Sequence, residues 1–354
     1  MPVSTSHHLP SADLLVWLTN LTCPQLDASR LQPLDERAAV KQTYTAYRVY
    51  DRDGQSYLAL DFSAAPANLQ DFEQRSAFLR QSGVKLPHTH GTDVARGFLL
   101  IDDFGPVSYL QQLNEDNANP LTLAAIDALI TLQIHSQPEA LPAYERPALL
   151  AELELFTHWY IGQHLGITLN DAQSSALQKV FDALLARIAA QAQVSVHHDL
   201  QARHLFSMAD GVSDGLSDGM PGMMGYEGAC HGPLCYDIVS LLRDASIVWD
   251  EERVLDWAIR YWERAKRAGL PVSPDIDSFY QDFEYTGVQR HLYQLGQMAQ
   301  RHCLAPESSP ALLADQAPLL SYLRKTAARY RPLAPLARLF DELENKSPQV
   351  GYTF

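Results

Sequence analysis

The sequence predicts an α+β fold with a small antiparallel sheet in its first part and a larger, mainly helical part after it. Over residues 41–61, side chains of different character alternate between the two faces of an extended chain, and a polar turn at 51–54 interrupts the pattern. This pattern predicts a two-stranded hairpin. A second apolar run at 97–101 has the length and composition of a buried strand. Beyond residue 120, apolar residues recur three and four positions apart, which is typical of packed helices. We therefore expect the hairpin and the strand at 97–101 to share one sheet.

Length and charge restrict the classes of protein that the chain can represent. Its 354 residues, 46% of them hydrophobic, suffice for two lobes with buried cores. A net charge of -15 argues against nucleic acid or an anionic membrane as partner, because both require a concentrated basic surface. The first residues lack the positive start and long apolar run of a secretory signal, and the four cysteines show no paired spacing. The expected location is the cytoplasm.

Local signals define the first elements. Residues 11–20 are predicted to form an amphipathic helix that Ser11 caps. Residues 68–81 have helical spacing, and Gly83 suits the end of that helix. Residues 84–87 are interpreted as a short piece of strand.

The remaining elements before and after residue 120 follow from the same signals. His88 and His90 resemble a metal-binding pair, but no further ligand stands at zinc spacing, so we interpret them as loop residues. Phe156 and Trp159 are interpreted as core side chains. Helices are predicted over 121–135, 146–165, 171–193, 251–268, 277–301 and 310–343.

The candidate chemistry is concentrated in the stretch 194–206. An apolar strand end leads into His197 and Asp199, and His204 follows the aspartate by five positions. This is the spacing of the catalytic loop of kinase-like phosphotransferases, in which the aspartate orients or deprotonates the acceptor hydroxyl. The segment 232–244 follows at the distance where a helix supporting such a loop begins.

Together with three other blocks, this segment carries a resemblance to the aminoglycoside phosphotransferase family, and within it to bacterial N-acetylmuramate/N-acetylglucosamine kinases of cell-wall recycling. The resemblance implies a protein-kinase-like fold, with an N-terminal lobe over 1–104 and a helical C-terminal lobe over 105–354. It also implies ATP as phosphate donor, Mg²⁺ as its ion and the anomeric hydroxyl of a small-molecule sugar as acceptor. The blocks are residues 97–105, 141–159, 232–263 and 289–292.

The resemblance also indicates where a nucleotide would bind. The hairpin corresponds to the family's nucleotide-covering loop, in which Lys41, Thr43 or Thr45 would hold a phosphate, together with backbone N–H groups. Asp102 and Asp103 lie in the run that forms the hinge between the lobes, where backbone groups meet adenine. For Lys41, Thr43 and Thr45, the alternative interpretation is that they belong to an ordinary exposed hairpin.

Two departures from the family fall on its metal ligands. His204 stands where the family has an asparagine, and Gly225 stands where it has an aspartate. Imidazole suits softer metals than Mg²⁺, so His204 is a poor replacement. Glu227, two residues beyond Gly225, is the remaining candidate ligand. The Gly/Ser/Asp repeat at 210–219 is an alternative source of carboxylates, although such repeats are usually solvated loops.

The sugar side of the family pattern is retained. By resemblance, Gln289, Arg290 and His291 would contact the sugar. Asp237 would support the catalytic loop by accepting backbone N–H bonds near His197, and a plain N-cap of the following helix is its alternative role.

Two functions therefore remain open from the sequence. In the first, the protein is an ATP-dependent sugar kinase in which Asp199 and His197 form the catalytic loop, and Glu227 with His204 holds the ion. In the second, it is a pseudokinase that binds small molecules or regulates partners, because both metal-ligand positions have changed.

Overall fold

The structure is a computed structural model that describes residues 10–22, 24–34, 44–208, 219–304, 306 and 316–346. These residues form two compact units. The sheet unit comprises the described residues of Met1–Leu141 and His197–Cys230, and the helical unit those of Pro142–Val196 and His231–Phe354. The predicted lobe boundary at residue 104 divides the chain differently from these units and stays a prediction.

A five-stranded antiparallel sheet forms the centre of the sheet unit, with the strand order β1-β2-β3-β5-β4. The prediction that the hairpin and the strand near residue 100 share one small sheet is confirmed, since β3 pairs with both β2 and β5. The strands are β1 (Leu26–Pro33), β2 (Thr45–Asp51), β3 (Ser56–Asp61), β4 (Thr89–Asp93) and β5 (Phe98–Asp102).

Helix α1 (Ala12–Asn20) covers one part of this sheet, as its amphipathic pattern predicts. The Ser11 hydroxyl accepts the Leu14 N–H at 3.1 Å, which is the predicted N-cap. The fully buried Leu14 and Leu18 pack in one cluster with the inward-facing residues Val49 and Leu100 of the sheet. Burial of this apolar surface holds the helix on the strands.

Two sequence interpretations in this unit are corrected. The segment 84–87 makes a single bridge, between Lys85 and Gly222, and is otherwise irregular. His90 lies in β4 rather than in a loop, and His88 immediately precedes that strand. The unit also contains α2 (Ala67–Gln81), α3 (Tyr109–Gln112), α4 (Ala118–Ile134), β7 (Leu205–Phe206) and β8 (Gly222–Met223).

The helical unit confirms the prediction that the chain beyond residue 120 is mainly helical. Its one strand pair, β6 with β9, is short. The elements are α5 (Arg146–Leu155), a π-helix (Phe156–His164), α6 (Asp171–Ala189), β6 (Gln193–Val196), β9 (Cys230–Pro233), α7 (Tyr236–Leu242), α8 (Glu251–Arg267), α9 (Ile276–Leu304), α10 (Gln316–Arg329) and α11 (Ala334–Lys346).

Two predicted helices differ from the observed ones in type or continuity, and the helix predicted over 171–193 ends at Ala189, before β6 begins at Gln193. The helix predicted over 146–165 changes to a π-helix at Phe156, a fully buried core residue as predicted. In place of the continuous helix predicted over 310–343, α10 ends at Arg329, and a short 3₁₀ turn containing Pro332 separates it from α11. Proline ends α10 there because it lacks the N–H that a helix interior requires. No described helix has the length and apolar character needed to cross a membrane.

The long helix α9 approaches the start of the π-helix at Gly296. A β-carbon built on Gly296 would lie 2.5 Å from the carbonyl carbon of Leu155 and 2.6 Å from the backbone nitrogen of Phe156. Because both neighbours are backbone atoms, they cannot move aside as a flexible side chain can. Glycine is therefore required for this helix contact.

We expect Gly296→Ala to lower the free energy of unfolding by about 1–3 kcal/mol, as overpacking in a filled core does. Gly162→Ala is the matched control, because a β-carbon there would meet its nearest neighbour at an ordinary 3.5 Å. Urea unfolding of both variants measures the difference. Equal stabilities of the two variants would contradict the close approach at Gly296.

Candidate active site

The stretch predicted to be the catalytic loop begins where β6 ends, at Val196. Val196 at the end of that strand is fully buried, and His197, the next residue, is 1% exposed. His198 has a φ of 77°, and no other non-glycine residue in the described part of the chain has a positive φ. Such a backbone is costly for a residue with a β-carbon and is found most often at functional sites. It turns the chain sharply before Asp199.

The His197 side chain holds this turn from inside. Its Nδ1 accepts the backbone N–H of Asp199 at 3.3 Å. Burial, followed by the nearby His204, lowers the pKa of His197 to about 3, while a hydrogen bond with the backbone of Met224 opposes that shift. The imidazole is therefore neutral at physiological pH and acts on Asp199 through the main chain.

Asp199 and His204 lie together in the structure, as their spacing predicts. The Nδ1–H of His204 donates to the backbone carbonyl of Asp199 at 2.8 Å, and the same nitrogen lies 3.5 Å from the Asp199 Oδ2. The Asp199 side chain is 21% exposed, whereas that of His204 is 10% exposed. The Asp199 carboxylate therefore remains partly accessible, while the His204 imidazole is hydrogen-bonded to the backbone of the loop.

The two departures from the family's metal ligands fit each other sterically. A β-carbon at Gly225 would lie 2.6 Å from the His204 Nδ1 and 2.7 Å from its Cγ. Gly225 also has a φ of +77°, which favours glycine. The His204 ring thus occupies the space that any side chain at position 225 would need.

Glu227 is held by Tyr44, a residue that sequence reasoning missed. The Tyr44 hydroxyl donates to the Glu227 Oε1, and the Tyr44 ring packs on Phe62 at a centroid distance of 4.8 Å. Burial raises the pKa of Tyr44 well above its ordinary value, and the charge of Glu227 adds to that shift. No local pattern predicts this contact, because the partners are 183 positions apart.

The described side chains form no group that would by itself hold a Mg²⁺ ion. Mg²⁺ requires several oxygen ligands in octahedral geometry, and no three described His, Cys, Asp or Glu side chains converge suitably. Gly225 offers no side-chain oxygen, and Glu227 already accepts from Tyr44. The repeat at 210–219 lies outside the described residues except for Gly219. Glu227 and His204 as metal ligands stay a prediction.

Asp102 and Asp103, the carboxylates of the predicted hinge, both have protein partners. Asp102 accepts from the His88 backbone N–H at 2.8 Å and lies 2.6 Å from the His90 Nε2. The Asp103 Oδ1 accepts the Gly105 N–H at 3.0 Å, and its other oxygen pairs with Arg48. Both side chains are therefore engaged within the protein, and the contact of this segment with a nucleotide stays a prediction.

The other predicted nucleotide residues lie in or before β2. Thr45 starts that strand and pairs with Asp61 across the hairpin. Lys41 and Thr43 lie outside the described residues. Their roles stay predictions.

The residues predicted to contact the sugar lie in the helical unit, on α9. Gln289 donates to Glu152 at 3.1 Å, and Arg290 donates to the Tyr236 hydroxyl at 3.3 Å. The His291 Nε2 lies 3.2 Å from the backbone carbonyl of Arg243. All three side chains are buried, and their contact with a sugar stays a prediction.

Asp237 lies in the first turn of α7 and is 0% exposed. It is not the N-cap of that helix, since Cys235 holds the N-cap position. A buried carboxylate is consistent with a supporting role, which stays a prediction.

The buried His291 should make stability depend on pH. Burial, with a contribution from Arg243, lowers its pKa to about 3 from an ordinary value of 6.5. Below pH 6.5, His291 binds a proton in the unfolded chain but stays neutral in the folded chain. Its contribution to the free energy of unfolding therefore falls as the pH drops towards 3, by about 1.4 kcal/mol per pH unit.

We expect His291→Gln to show a shallower loss of unfolding free energy between pH 6.5 and 4.5 than the wild type. Urea unfolding across that range measures the slope. The exposed His158 supplies the control His158→Gln, which should keep the wild-type slope. A wild-type slope in both variants would contradict a neutral, buried His291.

Comparisons with known proteins agree with this architecture. A model described as the phosphotransferase enzyme family matches residues 36–271. The N-acetylmuramate/N-acetylglucosamine kinase of Pseudomonas putida KT2440 is 34% identical over 307 residues, covering 87% of each chain. The protein of the same name from Neisseria meningitidis serogroup B is 38% identical over 276 residues, covering 77% of this chain and 79% of that protein.

Solved structures resemble the fold over most of the chain at low sequence identity. The gentamicin complex of APH(2″)-IIa aligns with a TM-score of 0.59 and 12% identity, over 88% of this chain and 96% of that one. The choline kinase LicA of Streptococcus pneumoniae aligns with a TM-score of 0.56 and 11% identity, over 82% and 93%. At these identities the likeness concerns the fold alone.

Proposed function

Because the chain belongs to the phosphotransferase enzyme family, we propose that it transfers phosphate from ATP to a hydroxyl of an N-acetylmuramate- or N-acetylglucosamine-type sugar. The observation that carries the substrate class is the extended identity with kinases named for these two sugars. The fold alone would not carry it, since the same fold hosts several acceptors. We place the reaction in the cytoplasm, as a step of cell-wall recycling.

In this proposal Asp199 orients the acceptor hydroxyl and takes its proton as the phosphate bond forms. The partly exposed carboxylate and the turn at His198, which has a positive φ, support this role. His197 is a positioning residue, because it acts on Asp199 through the backbone N–H. Backbone groups around Asp102 and Asp103, with Lys41, Thr43 and Thr45, would contact the nucleotide.

The direct test is phosphate transfer from ATP to each sugar, followed by mass spectrometry of the product. Purified protein should phosphorylate at least one of the two sugars and leave glucose unmodified. Phosphorylation of glucose at the same rate would overturn the substrate class. ATP consumption without any sugar phosphate would overturn the transfer itself.

A second candidate function is a pseudokinase that binds nucleotide or sugar without turnover. The contact between His204 and Gly225 favours it, because the ring fills the place of a family metal ligand. The engagement of Glu227 by Tyr44 favours it as well. Removing both ligands from a phosphotransferase should cost several orders of magnitude in rate.

Thermal shift with ATP distinguishes the two functions. Stabilisation by ATP that requires Mg²⁺ or Mn²⁺ would favour the kinase. Equal stabilisation by ATP with EDTA, combined with no sugar phosphate, would favour the pseudokinase. The two readouts are independent, since the first measures binding and the second measures transfer.

A further inference from the structure

In the helical unit, four polar side chains meet where the end of α7, the first turns of α9 and helix α10 come together. They are Arg243, Asp244, Tyr280 and Tyr322. Arg243 is 5% exposed and Asp244 is 3% exposed, whereas the two tyrosines are partly exposed. We call these four residues the Arg243 cluster.

The Arg243 guanidinium is only partly satisfied. Its Nη2 donates to the Glu284 Oε1 at 3.2 Å. Its Cζ lies 4.9 Å from the ring centre of Phe283 and 5.4 Å from that of Tyr322. The Nε and Nη1 atoms find no hydrogen-bond partner among the described residues. Two buried N–H donors of this charged group therefore lack a hydrogen-bond acceptor among the described residues.

The other three members have open polar atoms too. The Asp244 Oδ1 accepts the Ser246 N–H at 2.9 Å, whereas Oδ2 is buried without a partner in the described part of the chain. The same holds for the hydroxyls of Tyr280 and Tyr322. Burial raises the pKa of both phenols, and the charge of Arg243 opposes this shift in each.

Buried polar atoms without partners are rare, because each gives up hydrogen bonds to water. Five such atoms in four neighbouring side chains form a concentrated exception. Proteins tolerate such groups where a ligand or an ordered water completes the bonds. The open groups include donors on Arg243, an acceptor on Asp244 and hydroxyls that serve as either.

This mixture fits a ligand rich in hydroxyls. A sugar hydroxyl both donates and accepts, so it matches a carboxylate, a guanidinium and phenols at once. A simple anion would meet Asp244 and Glu284 beside Arg243, and a simple cation would meet Arg243 itself.

We propose that the Arg243 cluster binds the hydroxyl groups of the acceptor sugar, an assignment that rests on the proposed function. The partly exposed rings of Tyr280 and Tyr322 form the rim of this site. His291 links the cluster to the predicted sugar residues, since it stacks on Tyr322 at 5.2 Å and lies 3.2 Å from the Arg243 carbonyl.

The test uses tyrosine-to-phenylalanine changes, which remove a hydroxyl and keep the ring. Isothermal titration calorimetry with N-acetylglucosamine and N-acetylmuramate should show at least tenfold weaker binding by Tyr280→Phe and Tyr322→Phe. Their melting temperatures without sugar should not fall, because no hydrogen bond within the protein is lost. Tyr285→Phe, a change of a buried tyrosine on the same helix, should bind sugar within twofold of the wild type.

The outcomes separate the site from the function. If the wild type binds sugar and Tyr280→Phe, Tyr322→Phe and Asp244→Asn bind it equally well, the Arg243 cluster is not the sugar site. Ordered water would then be its occupant, and the proposed function would stand. No binding of either sugar by the wild type would overturn the proposed function and the sugar assignment together. If sugar binding depends on the Arg243 cluster but the wild type transfers no phosphate, the sugar site is supported and the proposed kinase activity is contradicted.

Discussion

Asp199→Asn is expected to abolish phosphate transfer to the sugar, with a loss of roughly 10²–10⁴-fold in kcat. The change removes the proton acceptor and keeps the volume of the side chain. Asparagine also keeps the backbone N–H and carbonyl of residue 199 that bond His197 and His204, and it keeps a side-chain oxygen for the 3.5 Å contact with the His204 Nδ1. KM for ATP should stay unchanged, since the loss concerns the chemical step.

The control for this variant is Asp256→Asn, which makes the same change at an exposed position on α8. It should keep wild-type kcat, and both variants should melt within a few degrees of the wild type. Full activity of Asp199→Asn would contradict its role in catalysis. Loss of activity with a large fall in melting temperature would instead assign Asp199 a structural role.

Much of the sheet unit could be predicted from sequence because its hairpin shows alternation on both sides of a polar turn. Strand β1 was missed for the opposite reason. It is an edge strand whose residues are partly buried or exposed, and it includes the polar Asp27, Ser29 and Arg30. An edge strand with little burial leaves no apolar pattern, so its pairing with β2 is visible only in three dimensions.

The helices were predicted in place but not in detail. Apolar spacing cannot separate an α-helix from the π-helix at Phe156, because both present one apolar face over so short a segment. The close approach of Gly296 to Leu155 is a tertiary contact between segments about 140 positions apart, and no local pattern reports it. Pro332 is a local signal for the break between α10 and α11, because proline lacks the N–H that a helix interior requires.

The candidate site divides in the same way. The neighbourhood of His197, Asp199 and His204 follows from spacing, because a tight turn brings residues two and five positions apart together. The contact between Tyr44 and Glu227 was not predictable, since nothing near either residue marks the other. The steric fit of His204 to Gly225 was also hidden, although sequence reasoning had identified both changes separately.

This steric fit determines what should happen when the family's ligands are restored. Gly225→Asp alone should destabilise the protein by about 1–3 kcal/mol, because its β-carbon would overlap the His204 ring. The positive φ at 225 adds a smaller cost, since aspartate tolerates that region better than most residues. His204→Asn should relieve the overlap, so the double variant should be more stable than the sum of its single changes predicts.

In a kinase impaired by these two changes, His204→Asn with Gly225→Asp should raise kcat by roughly 10²–10³-fold for each ligand restored, since each adds charge stabilisation in the transition state. Mg²⁺ binding, measured by calorimetry with ATP, should strengthen in parallel. Glu227→Gln serves as the control for the present arrangement, because it keeps the size of the side chain that Tyr44 holds. Rapid turnover by the wild type with Mg²⁺, together with equal turnover by Glu227→Gln, would contradict any role of the Glu227 carboxylate in holding the ion. No gain in the double variant, despite stronger Mg²⁺ binding, would favour the pseudokinase.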